Sequence, residues 1–154
     1  MLFVCHANTA RSVMAHAMLE RMLAERGARA RVRSAGIAKW ARDGMLPSLD
    51  ARIVLREAGI ELREDELTST DLRRHPELLS EAAIVLTMTA EQREVVRAFA
   101  AAPERRVYTL SEFAGEDGDI DDPAMQGEEA FRVARNRIRA CLDASIDRLV
   151  ALLA

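Results

Sequence analysis

Short, wholly apolar runs alternate along this chain with longer stretches in which apolar residues recur every three or four positions. Leu2-Phe3-Val4 is continuous and apolar and runs straight into Cys5, the pattern of a short buried strand. From Ser12 to about Arg26, Met14, Met18 and Met22 stand one turn apart beside Leu19 and Leu23, and Gly27 follows. That spacing predicts a helix with one buried face, stopped at the glycine. The methionine stripe is core packing. Arg31-Val32-Arg33-Ser34 reads as a second strand, and Ala35 to Leu49, with Gly36, Trp40, Gly44 and Pro47, as a loop. Asp50 to Ala58 predicts a helix ended by Gly59, and Pro76 to Glu81 a short one. Ala83 to Met88 is the clearest buried strand. Glu91 to Ala101 predicts a helix that stops before Pro103, and Arg106 to Leu110 a further strand. An acidic loop from Glu112 to Asp122 leads through Pro123 to a long terminal helix, Glu128 to Leu153.

Strands alternating with helices in this way predict an α/β fold: three layers, α/β/α, with a four-stranded parallel sheet and helices on both faces. No repeat, low-complexity segment or linker divides the chain, so residues 1–154 read as a single domain. Such sheets bind ligands beyond the carboxyl ends of their strands, where the strand order reverses. Cys5 stands at a strand end of that kind.

Composition narrows the function classes. With 49% apolar residues in 154, the chain can bury a full core. No apolar run approaches the roughly 20 residues of a membrane span, and Met1 leads directly into the first strand without a basic, cleavable leader. Cys5 and Cys141 form no disulfide framework, so the expected location is the reducing cytoplasm. A net charge of -3 argues against nucleic acid as a partner, and nothing suggests a membrane. The basic residues are all Arg except Lys39, which is a bias of composition.

The chemistry gathers in Cys5-His6-Ala7-Asn8-Thr9-Ala10-Arg11-Ser12, between a strand and a helix N-terminus. A loop of this length can curl so that several backbone N–H groups face one point, and the helix end adds its dipole. Both favour an anion there. Arg11 can add a planar fork of donors matched to phosphate oxygens. The same field favours a thiolate, the nucleophilic form of cysteine, aimed at phosphorus. Cysteine and arginine at this spacing are common by chance in so Arg-rich a chain. The weight lies in the context: a strand before, a helix after, Ser12 following Arg11, and Asn8, a residue that tolerates a left-handed backbone.

Phe3-Val4 before this loop, the loop itself and Met14 after it resemble the low-molecular-weight protein tyrosine phosphatase family, whose signature is V-C-x-G-N-x-C-R-S-P-M. The likeness continues through Ser34-Ala35-Gly36, Trp40, Pro47, Asp50-Ala51-Arg52, Ala58-Gly59-Ile60 and Val85-Leu86-Thr87-Met88-Thr89 to Asp122-Pro123. The resemblance implies a protein phosphatase that hydrolyses phosphotyrosine-type monoesters through a phosphocysteine, on a phosphorylated protein partner, with no metal or other cofactor. It makes Cys5 the nucleophile, Arg11 the phosphate clamp and Asp122 the general acid. His6, Ala7, Asn8, Thr9, Ala10, Ser12 and Trp40 would then contact substrate. Asn8, with Ser34 as its partner, would order the loop, and Ser12 would donate to the Cys5 sulfur.

Several departures bear on substrate. The family's loop glycine is Ala7, its second cysteine Ala10 and its proline Val13, and Ala124 and Met125 replace the aromatic residues usual after Asp-Pro. Ala7 is strained if its backbone is left-handed. The family's basic segment before the third strand has no match; Thr68-Ser69-Thr70-Asp71 stands near there. Thr9 occupies a position that is apolar in the tyrosine phosphatases and Thr in the related protein-arginine phosphatases, which makes an arginine phosphatase the alternative. Asp119 and Asp121 suit a cationic guanidinium. Other classes are a phosphocysteine carrier, a thioredoxin-coupled arsenate reductase and an inactive phosphate-binding relative. Arg11 and Asp122 argue against the first, and the shortage of cysteines against the second. The oligomeric state is not legible.

Overall fold

A computed structural model of the chain describes residues 1–99 and 106–153. Four strands, β1 (Leu2–Cys5), β2 (Arg33–Gly36), β3 (Val85–Thr87) and β4 (Val107–Thr109), form one parallel sheet in the order β2-β1-β3-β4. The chain steps from β1 to β2 on one side and crosses to β3 on the other. The order therefore reverses at β1, and Cys5 ends that strand.

Alternation along the strands sends side chains to opposite faces. Phe3, Cys5 and Leu86 pack with Met14, Met18, Leu55, Ile138 and Leu142. This face is covered by α1 (Arg11–Glu25), α2 (Leu49–Glu57) and α6 (Glu128–Leu153). Leu2, Val4, Val85 and Val107 face the other way, against Leu79 of α3 (Glu77–Glu81) and Val96 of α4 (Ala90–Arg97). The methionine stripe of α1 is buried, Met14 and Met18 almost completely. Truncating either to Ala would cost about 2–5 kcal/mol. Among the described residues no helix is long and apolar enough to cross a membrane.

The expected elements are present, with differences at their edges. The second strand lies two residues later than Arg31–Ser34, because Arg33 N–H donates to Met1 O and the ladder pairs Cys5 with Gly36. Gly36 closes a strand here where a loop was expected. A Cβ on it would stand 2.6 Å from His6 O and 2.8 Å from Ala7 C, so only glycine lets the Cys5 loop lie on β2. The acidic stretch begins with one helical turn, α5 (Leu110–Phe113), nucleated by a capping box between Thr109 and Glu112. A 3-10 turn at Leu72–Arg74 precedes α3. The helix expected to reach Ala101 ends at Arg97 with Ala98 as its C-cap, while Ala101 and Pro103 themselves lie outside the described residues.

Candidate active site

The loop from Cys5 to α1 is shaped by Asn8. Its backbone is left-handed, φ 61°, and it is the only loop residue so disposed. The backbone of Ala7 is not left-handed, so alanine replaces the family glycine without the expected strain. Turning at Asn8 brings its N–H to within 3.3 Å of Cys5 Sγ. The side chain then fixes the loop from below: Oδ1 accepts from Thr70 N–H at 2.9 Å, and Nδ2 donates to Ser12 Oγ at 2.7 Å. Because Thr70 N–H can only donate, the orientation of the amide is settled, and Ser12 Oγ is an acceptor in that bond. The single Ser12 proton is left for Cys5 Sγ, 2.9 Å away.

Asn8 and Ser12 are completely buried, and their side chains lie beneath the loop and off the cleft. Both side chains bond to each other beneath the loop, and Ser12 Oγ meets Cys5 Sγ there. Ser34 departs from its expected part. It does not partner Asn8; its Oγ pairs with His16 Nδ1 at 2.9 Å, while Thr70 fills the place at Asn8. Burial holds the His16 pKa below the ordinary value, against the pull of Glu20 on its other nitrogen.

Above the sulfur is a cleft of about 180 Å³. His6, Ala7, Thr9, Ala10 and Arg11 line one part of it. Trp40 and Met45, from the loop after β2, and Asp122 and Ala124, from the loop before α6, line the rest. Trp40 is 61% exposed, so it belongs to the rim and not to the core, and its ring leans over His6 with centroids 6.4 Å apart. Asp119 and Asp121 do not line the cleft. Asp119 instead caps α4, accepting from Ala90 N–H at 2.9 Å. Met125 is fully exposed and builds no wall.

The field in the cleft is positive at its base. Ala10 offers α1 no side-chain cap, and the first turn carries no acidic residue, so the helix end is left for a ligand. Arg11, 2% exposed, places its guanidinium in the same region. Nη1 donates to Ile120 O at 2.8 Å and Nη2 lies 3.7 Å from Asp122 Oδ2. Asp122 Oδ1 accepts from Ala124 N–H at 3.0 Å, which orients the carboxylate. Sequence reasoning missed Met45 and the carbonyl of Ile120. Contacts between distant loops leave no local signal.

A cysteine sulfur at the uncapped N-terminus of a helix, with an arginine and a carboxylate lining the same cleft, is equipment for taking up a phosphoryl group and passing it to water. That is the chemistry of cysteine-dependent phosphatases. The family model described as low molecular weight phosphotyrosine protein phosphatase matches residues 1–152, and the chain belongs to this family. A protein-arginine-phosphatase of Geobacillus stearothermophilus is 36% identical over 96% of this chain and 94% of its own length. A probable low molecular weight protein-tyrosine-phosphatase of Ralstonia solanacearum is 32% identical over 98% of this chain and 96% of its own. Among solved structures, a low molecular weight protein tyrosine phosphatase from T. tengcongensis superposes with a TM-score of 0.86 at 28% identity, covering 96% of this chain and 97% of that one. The chain is thus a cysteine-dependent protein phosphatase.

Proposed function

We propose that the chain hydrolyses phosphoarginine in proteins, with Cys5 as nucleophile, Arg11 as phosphate clamp and Asp122 as general acid and base. Cys5 Sγ attacks phosphorus, the S–P bond forms and the P–N bond breaks, and Asp122 gives its proton to the departing guanidine nitrogen. Loop N–H groups and Arg11 hold the equatorial oxygens, where charge gathers in the transition state. Asp122 then takes a proton from water, which attacks phosphorus and releases the Cys5 thiolate. The Ser12 hydroxyl, directed at the sulfur by Asn8, stabilises that leaving thiolate.

The observation that carries the arginine reading is Thr9 in the lining of the cleft, with Ala124 and the outward Met125 after Asp122. Thr9 and Asp122 thus add a hydroxyl-bearing and an acidic residue to the lining that the leaving group enters. The relative from G. stearothermophilus, named for arginine phosphatase activity, supports it. A phosphotyrosine reading has its own support in Trp40 and Met45, which could flank a ring.

Steady-state kcat/KM on a phosphoarginine protein, a phosphotyrosine peptide and p-nitrophenyl phosphate, for wild type and Thr9→Ile, separates the two. The arginine reading expects wild type to prefer phosphoarginine and Thr9→Ile to move the ratio toward phosphotyrosine by roughly 10–200-fold. A wild-type preference for phosphotyrosine, unmoved by Thr9→Ile, contradicts it and makes Thr9 a loop-packing residue.

A further inference from the structure

The hydrogen-bonded path that ends at Cys5 Sγ continues outward beyond the active-site loop. Thr70, whose N–H holds Asn8, also accepts from Gly36 N–H through its carbonyl at 2.8 Å, so it is wedged between loop and sheet. The next residue, Asp71, opens the 3-10 turn Leu72–Arg74, and its side chain caps that turn by accepting from Arg73 N–H at 3.1 Å. His75 closes the turn, donating its N–H to Leu72 O at 3.1 Å. One carboxylate from the loop after β2 spans both ends. Asp43 Oδ1 accepts from Asp71 N–H at 2.7 Å, and Asp43 Oδ2 lies 2.9 Å from His75 Nε2. A path of short contacts therefore runs from a surface histidine through Asp43, Asp71, Thr70, Asn8 and Ser12 to the nucleophile.

We propose that Asp43 and His75 are positioning residues for the phosphatase reaction: paired as ions, they staple the turn that carries Thr70 and so fix the amide of Asn8 under Cys5. This rests on Cys5 being the nucleophile. Neither residue reaches the cleft, and each acts through Asn8. The staple is one of several fastenings, since Thr70 O also holds Gly36 N–H and Ser69 O holds Gly44 N–H. Ser69, beside Thr70, is itself tied to Met45 in both directions at 2.9 Å and to Arg42 O. Its loss should loosen the segment without releasing it.

His75 is flanked by Asp43 on one nitrogen and by Glu77, 3.4 Å from Nδ1, on the other. Arg74, its chain neighbour, acts on Asp43. The hydrogen bond and charge of Asp43, with Glu77 behind, raise the pKa of His75. Asp43 is held low by Asp71 N–H and His75. The ion pair is therefore complete above the range in which Asp43 protonates. It is lost as pH rises through the raised pKa of His75.

The test compares kcat and KM for p-nitrophenyl phosphate between about pH 5 and about pH 9 in wild type, Asp43→Ala, His75→Ala and His75→Arg. Near pH 6, His75→Ala should lose roughly 3–10-fold in kcat with little change in KM, as expected when one charge-assisted bond is removed from a segment that other bonds still hold, and Asp43→Ala at least as much, because it also gives up the bond to Asp71 N–H. The ratio of wild type to His75→Ala cancels the ionisations common to both, and should fall toward unity as pH rises. His75→Arg, permanently charged, should restore kcat and remove that pH dependence. A ratio that stays flat with pH, a change confined to KM, or an Arg variant no better than Ala overturns the inference. Activity that survives Cys5→Ser sinks the nucleophile reading instead. In that case iodoacetate alkylation of Cys5 in a Cys141→Ser background reports the loop geometry without turnover. It should slow in His75→Ala at low pH, and an unchanged rate overturns the inference.

Discussion

Arg11 Nη2 lies 3.7 Å from Asp122 Oδ2, and the same guanidinium donates to Ile120 O at 2.8 Å. One buried cation thus ties the Cys5 loop after β1 to the loop that carries Asp122. Arg11 is enclosed and Asp122 is half in solvent, 44% exposed in its side chain. The cation is held in place, and the carboxylate keeps access to water, as the general base of the proposed reaction needs.

This double attachment makes Arg11→Lys a severe change although charge is kept. An ammonium cannot span two phosphate oxygens in a plane and hold Ile120 O as well. The expected loss in kcat is about 10²–10³-fold, comparable to removal of one transition-state donor. A loss below about tenfold would show that Arg11 only starts α1.

Asp122→Asn should slow substrates in proportion to the basicity of their leaving groups, least for p-nitrophenol and most for an alkyl phosphate. Asp121→Asn is the control, since Asp121 lies outside the cleft. If Asp121→Asn shows the steeper leaving-group dependence, the acid has been assigned one residue late.

Gly36→Ala should both destabilise the fold and impair turnover. The new Cβ meets backbone, His6 O at 2.6 Å and Ala7 C at 2.8 Å, which cannot swing aside as a side chain would. Overpacking of this kind costs about 1–3 kcal/mol, read from the urea midpoint, and the displaced loop should lower kcat as well. Unchanged stability and activity would mean that the loop tolerates lifting off β2.

Sequence pattern carried the architecture a long way because β1 and β3 lie in runs that are apolar on both sides and the long helices carry stripes. β1, β3 and α6 follow directly from those runs. The register of β2 did not, since Val32 looked like the strand centre and Gly36 like a breaker; pairing with β1 and the loop's need for a surface without Cβ decide it. The turn α5 carried a readable capping pair, Thr109 and Glu112, inside a stretch whose acidity suggested only a solvated loop. In the site, Cys5, Asn8, Arg11 and Ser12 are neighbours in sequence, and their grouping was legible. Ser34 was assigned to Asn8 by likeness to a family, whereas here His16 takes it and a backbone N–H from Thr70 serves Asn8. Met45, Asp43 and His75 come from segments brought together only by folding.

The central claim is that Cys5 carries the phosphoryl group. Rapid acid-free quenching of Asp122→Ala during turnover of p-nitrophenyl phosphate, followed by peptide mass analysis, tests it directly, because a good leaving group allows the first step and the missing base delays the second. The account predicts one phosphoryl increment on the peptide that begins at Met1 and contains Cys5. None should appear on the peptide containing Cys141, which is buried in α6 and whose burial pushes the thiol pKa up. A phosphoryl group on any other residue, or turnover with no labelled Cys5 at any quench time, would contradict the account.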